Sequence, residues 1–379
     1  MKNIFKIILS KYCFKKPPKK RVLIYDKAST GLAYLLFQED ECEILHVRYE
    51  TINLIVLILT FLKKGFRNIA DNYKLTYSEM VEPEVIFSDF TNNYAFFKLK
   101  NFYQNATYIC IHSQTTALDF FNHCDDYYNK DYNKLRLKAD IILVPGNYYK
   151  KKFSKYIDGQ IITVGSFKNN YFYMEEKKTK TNINSILFIS QVRAVTKKNI
   201  PEKYMNKINN EVRIVKALES YCEKKKLTLN IAAKNTEKHS MFYKKNFGLG
   251  NWNIFHRKEN HSKNFPSPYN LINDSFLVVF TNSTLGLESL VKGKRAICFP
   301  PEEFPIENHE KKFSKQGPFW SEKFDEKILE QYLQRVIQYT DEEWGQIVDE
   351  NIGDLMTYDP KNSKFVRELN KLKVKTLIN

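Results

Sequence analysis

The sequence has 379 residues, of which 43% are hydrophobic and 27% charged, so it is long enough for two domains that each bury a core. The formal net charge of +17 would suit a nucleic-acid-binding protein. The lysines are spread over nearly every segment, however, and no basic and aromatic motif of a known module occurs, which argues against a nucleic-acid partner.

The cysteine pattern and the apolar segments predict the compartment. Six cysteines are scattered without a CxxC pair or the spacing of metal ligands, which is typical of a reducing compartment. The apolar segment at 52–62 is too short to cross a bilayer as a helix, and we predict a buried helix there, with a membrane-facing surface as the alternative. The N-terminus lacks the features of a secretory signal. We therefore expect a cytoplasmic protein, either free or in contact with the inner face of the cytoplasmic membrane.

The first half of the chain alternates strand-like and helix-like segments. Strands are predicted at 21–26, 43–47, 84–90, 107–112, 140–145 and 160–164. Helical patterns or polar turns that open helices separate most of them. This alternation predicts a parallel sheet with right-handed crossovers.

The second half restarts the same pattern after a polar, lysine-rich stretch. That stretch, 167–184, is predicted to be a linker, and strands follow at 185–190, 227–233, 253–256, 276–280 and 295–299. We predict an α/β fold with two Rossmann-like doubly wound domains, 1–166 and 185–358, and a helix within 359–379 that packs back toward the first domain. Ligands of such sheets bind at the carboxyl ends of the strands, and two domains that face each other would enclose a cleft.

The segment FLVVFTNSTLGLESL at 276–290 predicts an anion site. A buried strand ends in a hydroxyl-rich turn, and a helix begins at Ser283 or Thr284, either of which is a good N-cap residue. Backbone N–H groups and the helix dipole favour a phosphate there. Gly286 in the first turn would let a ligand or a neighbouring strand approach closely. An ordinary capped helix is the alternative.

Further candidates for nucleotide binding follow other strands of the second half. The cations Arg193, Lys234 and Arg257 stand at or near strand ends, where they would pair with phosphate oxygens. Glu288, one turn into the helix, would accept hydrogen bonds from ribose hydroxyls, or it only complements the helix dipole.

Candidate proton acceptors lie in the first half. His112 closes an apolar strand, and its pKa near neutrality would let it take or give a proton near pH 7. Glu50 and Asp26 are the carboxylate candidates. A buried structural histidine and ordinary carboxylates are the alternatives. The absence of GxGxxG, P-loop, HExxH and GxSxG motifs argues against dehydrogenases, P-loop kinases, zincins and α/β-hydrolases.

Four stretches resemble a known family: IITVGSFKNN at 161–170, ILFISQVR at 186–193, TNSTLGLESLVKGKRAICF at 281–299 and GPFW at 317–320. They are similar to the surface-carbohydrate biosynthesis proteins of bacterial polysaccharide gene clusters and, more broadly, to GT-B glycosyltransferases. The first 150 or so residues match only in layout. The resemblance implies a nucleotide-sugar donor on the second domain and a glycan or lipid-linked glycan acceptor on the first. It implies no metal and no other cofactor, and CMP-activated acidic sugars such as Kdo are among the donors it allows.

The sequence thus predicts a glycosyltransferase of capsule or lipopolysaccharide O-antigen synthesis. The second-half cations and amides would stabilise the leaving phosphate. A first-half base would deprotonate the acceptor hydroxyl if the reaction inverts the anomeric configuration, whereas a first-half carboxylate would act as nucleophile if the reaction retains it. Three alternatives stay open: a nucleotide-sugar 2-epimerase or hydrolase, a polyol-phosphate transferase, and a non-catalytic scaffold of polysaccharide assembly.

Overall fold

The computed structural model describes residues 11–48, 50–113, 118–129, 135–174, 184–192, 201–234, 240–256, 268–300 and 316–378. The chain forms two compact units. The first unit comprises residues 1–113, 117–167 and 359–379, and the second comprises 114–116 and 168–358.

The first unit is built on a six-stranded parallel sheet. The described strands of the unit, including two outside that sheet, are in chain order β1 (Lys11–Cys13), β2 (Val22–Ile24), β3 (Cys42–Ile44), β4 (Thr51–Asn53), β5 (Val85–Ser88), β6 (Thr107–Ile111), β7 (Leu137–Val144) and β8 (Ile157–Thr163). The main sheet has the order β3-β2-β5-β6-β7-β8, while β1 and β4 form a separate parallel pair. Its central strands read as unbroken apolar runs because both faces of the sheet are covered.

The described helices of the first unit that precede residue 157 lie among these strands. They are α1 (Thr30–Leu36), α2 (Leu54–Lys64), α3 (Ile69–Val81), α4 (Tyr94–Leu99), α5 (Leu118–Asn129) and α6 (Asn147–Tyr156). The core between helices and sheet is rich in aromatic rings, with Phe96 in edge-to-face contact with Tyr25, Phe97 and Tyr108.

The prediction that α2 is buried is wrong. Val56 and Thr60 are buried, but Ile58 and Leu62, on another side of the helix, are exposed. The apolar composition suggested burial all round, whereas α2 packs on one side only, against β1, β4 and α3. Among the described residues, no helix combines the length and the apolarity that crossing a membrane requires.

The second unit is built on a five-stranded parallel sheet. Its strands are β9 (Ser185–Ile189), β10 (Thr228–Ala232), β11 (Trp252–Phe255), β12 (Leu277–Phe280) and β13 (Arg295–Cys298), in the order β11-β10-β9-β12-β13. The strand order reverses between β9 and β12. This reversal is the topological switch point, outside whose carboxyl end the ligands of such sheets bind.

The remaining helices are α7 (Phe167–Met174), α8 (Glu202–Lys225), α9 (Ser240–Phe247), α10 (Pro268–Asn273), α11 (Thr284–Val291), α12 (Glu326–Gln338), α13 (Asp341–Ile352) and α14 (Ser363–Lys371). The last of them belongs to the first unit, where Phe365 packs on Phe167 with 4.6 Å between ring centroids.

Part of the segment predicted to be a linker, 167–184, is regular, because residues 167–174 are helical. Their polar residues are not solvent-facing, since Asn169 and Asn170 are buried and the Phe172 ring stacks on Tyr269. The segment lacked an apolar period because buried asparagines occupy part of its inner face. Residues 175–183 lie outside the described ranges.

Candidate functional site

The switch point of the second unit is organised around one buried carboxylate, that of Glu211 on α8. Its oxygens accept hydrogen bonds from Ser190 Oγ at 2.6 Å, the Gln191 backbone N–H at 2.9 Å and Thr281 Oγ1 at 3.4 Å. Ser190 and Gln191 follow β9, and Thr281 follows β12. Glu211 therefore holds together the two chain segments that leave the sheet on either side of the switch point.

Glu211 was missed by the sequence analysis. Burial raises the pKa of its carboxyl, and the hydrogen bonds from Ser190 and the Gln191 amide only partly counteract this effect. The sequence does contain a signal for its burial, because Glu211 lies in the apolar stripe that α8 turns toward the sheet, between Ile208, Val215 and Leu218. A charged residue in such a stripe indicates a buried polar network.

Lys234 lies at the same carboxyl ends of the strands, just after β10. Its Nζ donates to Oε1 of Gln191 at 2.6 Å, so an ammonium group is held next to the segment that Glu211 organises. An ammonium at a strand end is suited to a phosphate. Two other predicted phosphate ligands, Arg193 and Arg257, lie outside the described residues.

The helix predicted to bind an anion begins as expected. Ser283 is the N-cap residue of α11 with extended backbone angles, φ −140° and ψ 127°, and Thr284 is the first helical residue. The Ser283 side chain makes no capping hydrogen bond, while its carbonyl accepts from the N–H groups of Gly286 at 3.0 Å and Leu287 at 3.2 Å.

Gly286 has a packing role in the first turn of α11. A Cβ atom there would lie 2.7 Å from Cδ1 of Phe280 and still closer to Cγ and Cδ2 of the same ring. The space above the glycine is thus filled by a side chain from the end of β12. Of the two predicted occupants, a ligand and a neighbouring strand, the structure shows the strand. The N–H of Gly286 is engaged by Ser283, so its assignment to a phosphate gains no support from this geometry.

Glu288 is buried within the second unit. Its Oε2 accepts a hydrogen bond from the Tyr269 hydroxyl at 3.0 Å, and its peptide oxygen accepts from Asn169 Nδ2 at 3.0 Å. Burial raises the pKa of Tyr269 well above its usual value, so the phenol stays protonated and donates. This contact connects α11 with α7 and α10. The ribose assignment of Glu288 stays a prediction.

In the first unit, Asp26 follows β2 and is fully engaged. Its Oδ1 accepts from the Ala28 N–H at 2.9 Å, as the cap of a short 3₁₀ turn, and its Oδ2 accepts from Arg48 Nε at 2.8 Å. The Arg48 guanidinium lies over the Phe90 ring, 4.7 Å from its centroid. Asp26 is buried, so the geometry favours a structural role over that of a proton acceptor.

His112 follows β6 and is also buried. Its Nδ1 lies 2.7 Å from Thr91 Oγ1, and the rings of Tyr149 and Phe153 pack against it at 4.6 and 5.1 Å. Burial lowers the pKa of His112 to about 3, so the imidazole is neutral at pH 7. Its Nε2 has no hydrogen-bond partner among the described residues. The expectation of a histidine that titrates near pH 7 is therefore not met.

Glu50 differs from these two because its side chain is partly exposed. Its Oε2 lies 3.9 Å from Nδ1 of His46, whose pKa is lowered by burial, and neither atom has a hydrogen-bond partner in the described part of the chain. His46 also lines a cavity of about 260 Å³, together with Cys13, Lys15, Lys16, Pro17, Pro18, Glu43, Thr51, Asn53, Tyr73 and Tyr77.

The three predicted bases do not form one constellation. Among the described residues, no hydrogen bond joins Asp26, Glu50 and His112 to one another. The described residues also contain no group of three or more His, Cys, Asp or Glu side chains that could hold a metal ion.

Comparison with known families identifies the chain. Residues 117–373, more than half of the sequence, match the sequence profile of a family described as "putative O-antigen biosynthesis protein". The chain belongs to this family. The predicted relationship to bacterial surface-carbohydrate biosynthesis proteins is confirmed. No curated protein matches the chain significantly in sequence.

Solved structures establish the fold of this O-antigen family member. The UDP-GlcNAc 2-epimerase from Neisseria meningitidis, bound to UDP-GlcNAc, is 12% identical, with a TM-score of 0.53 over 92% of this chain and 98% of the epimerase. Another UDP-N-acetylglucosamine 2-epimerase is 11% identical, with a TM-score of 0.51 over 95% of this chain and 98% of the other. At such identities the likeness concerns the fold alone. The predicted two-domain, Rossmann-like fold of the GT-B type is confirmed.

Proposed function

We propose that this protein is a glycosyltransferase that moves a sugar from a nucleotide-activated donor to a growing surface polysaccharide, either capsule or lipopolysaccharide O-antigen. The observation that carries the proposal is the polar switch point of the second unit in a chain of an O-antigen biosynthesis family. The reaction would take place in the cytoplasm or at the inner face of the membrane, on a glycan or lipid-linked glycan.

The donor phosphates would lie between Lys234 and the first turn of α11. An ammonium and helix N-terminal amides both stabilise the negative charge that grows on the leaving nucleotide as the glycosidic bond to the donor breaks. Glu211 would act as a positioning residue, because it holds Gln191, the hydrogen-bond partner of Lys234. Glu288 would reach the ribose only if its bond to Tyr269 rearranged.

Glu50 is the base that the geometry of the first unit favours among the three predicted. Asp26 is neutralised by Arg48, and the low pKa of the buried His112 makes it a weak proton acceptor. The Glu50 side chain is partly exposed, although its Oε2 is itself buried beside His46 without a hydrogen-bond partner in the described residues, so an acceptor hydroxyl would approach the other carboxylate oxygen.

Nucleotide binding tests the donor site. Thermal unfolding would be followed with UDP, GDP, dTDP, CMP, CDP and ADP, because a ligand at a hundredfold excess over its dissociation constant stabilises the native state by about 2.7 kcal/mol. UDP alone would favour a UDP-sugar, whereas CMP alone would favour an acidic sugar such as Kdo. If none of them stabilises the folded protein, the donor site is refuted and the scaffold alternative is favoured.

A variant at Lys234 locates the site. Lys234→Met should weaken binding of the nucleotide that wild type prefers about tenfold or more, since a charged hydrogen bond contributes about 1.5–3 kcal/mol. Lys225→Met is the matched control, because Lys225 ends α8 just before β10 and therefore lies near the amino ends of the strands, away from the proposed site. Equal affinities in both variants would remove Lys234 from the phosphate site.

A 2-epimerase is the second candidate, because its fold is shared over most of the chain. An epimerase converts the nucleotide sugar in the absence of any acceptor, while a transferase releases nucleotide rapidly only when acceptor glycan is present. Nuclear magnetic resonance of the nucleotide sugar after incubation with protein alone therefore distinguishes the two. Conversion at the sugar C2 without acceptor would overturn the transferase proposal.

A further inference from the structure

The helix α2 and the residues just after it carry large apolar side chains that are exposed. Ile58 and Leu62, one turn apart, are 57% and 78% exposed, and Phe66, just beyond the helix, is 82% exposed. Phe61 contacts Phe66 with 4.3 Å between ring centroids, which continues this surface around the end of the helix. Isolated exposed apolar residues need no explanation, but several together on one element indicate an interaction site.

The strand β1 enlarges this surface. Tyr12 is 47% exposed and Phe14, directly after β1, is 70% exposed. The strand pairs with β4, which runs straight into α2, and α2 packs against β1. We call the five side chains the α2 patch: Tyr12, Phe14, Ile58, Leu62 and Phe66. They are five of the eleven large apolar side chains that are exposed among the described residues, so apolar exposure is concentrated here.

The two chain segments that carry the α2 patch have charged side chains of a single sign. Residues 11–20 and 51–70 contain eight lysines and arginines and no aspartate or glutamate. Two of these cations are paired, Lys19 with Glu82 and Lys64 with Glu79. Others, at positions 11, 15, 16, 63 and 67, are exposed around the apolar residues.

We propose that the α2 patch docks onto an anionic membrane surface. A short helix with one face packed on its domain and an apolar, lysine-rimmed face outside is suited to lie in the membrane interface, where the rings and aliphatic side chains enter the acyl boundary and the cations meet lipid phosphates. The helix has eleven residues, too few to cross a bilayer. A second copy of the chain is a poor occupant, because two patches of the same charge repel each other.

Docking of the α2 patch would account for the location at the inner face of the membrane given under the proposed function. Only the biological purpose of the docking rests on that proposed function. A lipid-linked acceptor lies in the membrane plane, so docking would keep the first unit beside it. The membrane test below measures binding without turnover. Its failure would therefore leave the nucleotide test at Lys234 unaffected, and the reverse is also true.

The experiment is sedimentation of the full chain with vesicles of equal parts phosphatidylglycerol and phosphatidylcholine, compared with vesicles of phosphatidylcholine alone. We expect wild type to partition onto the anionic vesicles and to be released by high salt. The variant Leu62→Gln/Phe66→Ser should lose about tenfold or more of its partition coefficient, because it removes two large side chains from the interface. Lys63→Gln/Arg67→Gln should lose about fivefold per cation.

Matched controls come from the second unit. Met241 and Leu249 are as exposed as the patch residues, at 76% and 91%, so Met241→Gln/Leu249→Ser removes similar side chains from a different surface. Lys224 and Lys225, exposed at the end of α8, provide the cation control as a Lys→Gln pair. Both controls should sediment like wild type, and all variants should keep the thermal unfolding midpoint, because each replaced side chain is exposed.

Several outcomes would overturn the proposal. Full binding by the Leu62→Gln/Phe66→Ser variant would assign membrane contact to another part of the chain, and equal binding to both vesicle types would remove the role of the cations. Absence of wild-type binding to anionic vesicles, with light scattering that shows a dimer dissociated by the same variant, would assign the α2 patch to self-association.

Discussion

Replacing Gly286 by alanine should destabilise the second unit, although alanine normally stabilises a helix. Gly286 lies in the first turn of α11, where an added Cβ would lie 2.7 Å from Cδ1 of Phe280 and nearer to two other ring carbons. Phe280 ends β12 and is completely buried, so its ring can move only by displacing other core side chains or entering solvent. The substitution therefore forces α11 away from the end of the strand or the ring out of its rotamer.

The magnitude follows from two opposing contributions. Overpacking a filled core costs about 1–3 kcal/mol, and contact with three carbons of a fixed ring places this case at the upper end. The gain in helix propensity from glycine to alanine is about 1 kcal/mol. The net loss in the free energy of unfolding should be about 1–2 kcal/mol. The same displacement would shift the amides of the proposed phosphate site, so nucleotide affinity should fall as well.

A second glycine of the same unit provides a control in which alanine should raise, not lower, the free energy of unfolding. Gly345 is exposed in α13, and a Cβ there would meet no atom within 4 Å, so Gly345→Ala should stabilise by about 1 kcal/mol. The chain has three tryptophans, and all of them lie in the second unit, so tryptophan fluorescence during urea unfolding reports on that unit alone. The two alanine variants can therefore be compared directly.

Equal stabilisation by both alanine substitutions would refute the packing argument for Gly286. A rescue experiment tests its physical cause. In the Phe280→Leu background, which removes the clashing ring, Gly286→Ala should cost less than it does in wild type. An unchanged cost there would mean that something other than Phe280 requires the glycine.

Two buried groups should make stability depend on pH in opposite directions. The pKa of His112 is lowered to about 3 from an ordinary value of 6.5, so its contribution is complete above 6.5 and is lost on acidification. At about 1.4 kcal/mol per pH unit, acidification from pH 6.5 to 5 should cost about 2 kcal/mol, and circular dichroism should show this loss absent from His112→Gln. An equal loss in the variant would contradict the burial of the imidazole.

The pKa of Glu211 is raised, so its contribution is greatest below the ordinary value of 4.5 and is lost as the pH rises through the raised pKa. Glu211→Gln should flatten this dependence in tryptophan fluorescence, while Glu211→Leu should destabilise by about 2–4 kcal/mol because it leaves Ser190 and the Gln191 amide without their acceptor. If the leucine variant unfolds like wild type, the carboxylate does not organise the switch point.

The strands of both sheets were predictable because parallel strands covered on two faces read as continuous apolar runs, and the turns between them carry polar residues. The N-terminus of α11 was predictable for a similar local reason, since Ser283 directly precedes the apolar helical spacing. The short pair β1 and β4 had no such signal. Each strand has only three residues, those of β1 are partly or fully exposed, and the two strands pair only with each other, so nothing in the local sequence marks them as strands.

The side chains at the candidate site were less predictable than the strands that carry them. Position in sequence placed Asp26 and His112 correctly at strand ends, but their chemistry depends on partners far along the chain: Arg48 for the aspartate, and Thr91 and Tyr149 for the histidine. The neutral state of His112 follows from burial alone, which a sequence does not display.

The sequence by itself thus determined the α/β class, the division into two Rossmann-like halves and the helix start at Ser283, because these depend on local hydrophobic periodicity and capping. Only the tertiary structure decided that Glu211 connects β9 with β12, that Gly286 accommodates Phe280, and that one face of α2 stays exposed. Each of these depends on which distant surfaces meet when the sheets close. Periodicity shows that a helix or strand has an apolar face, but it does not show what covers that face.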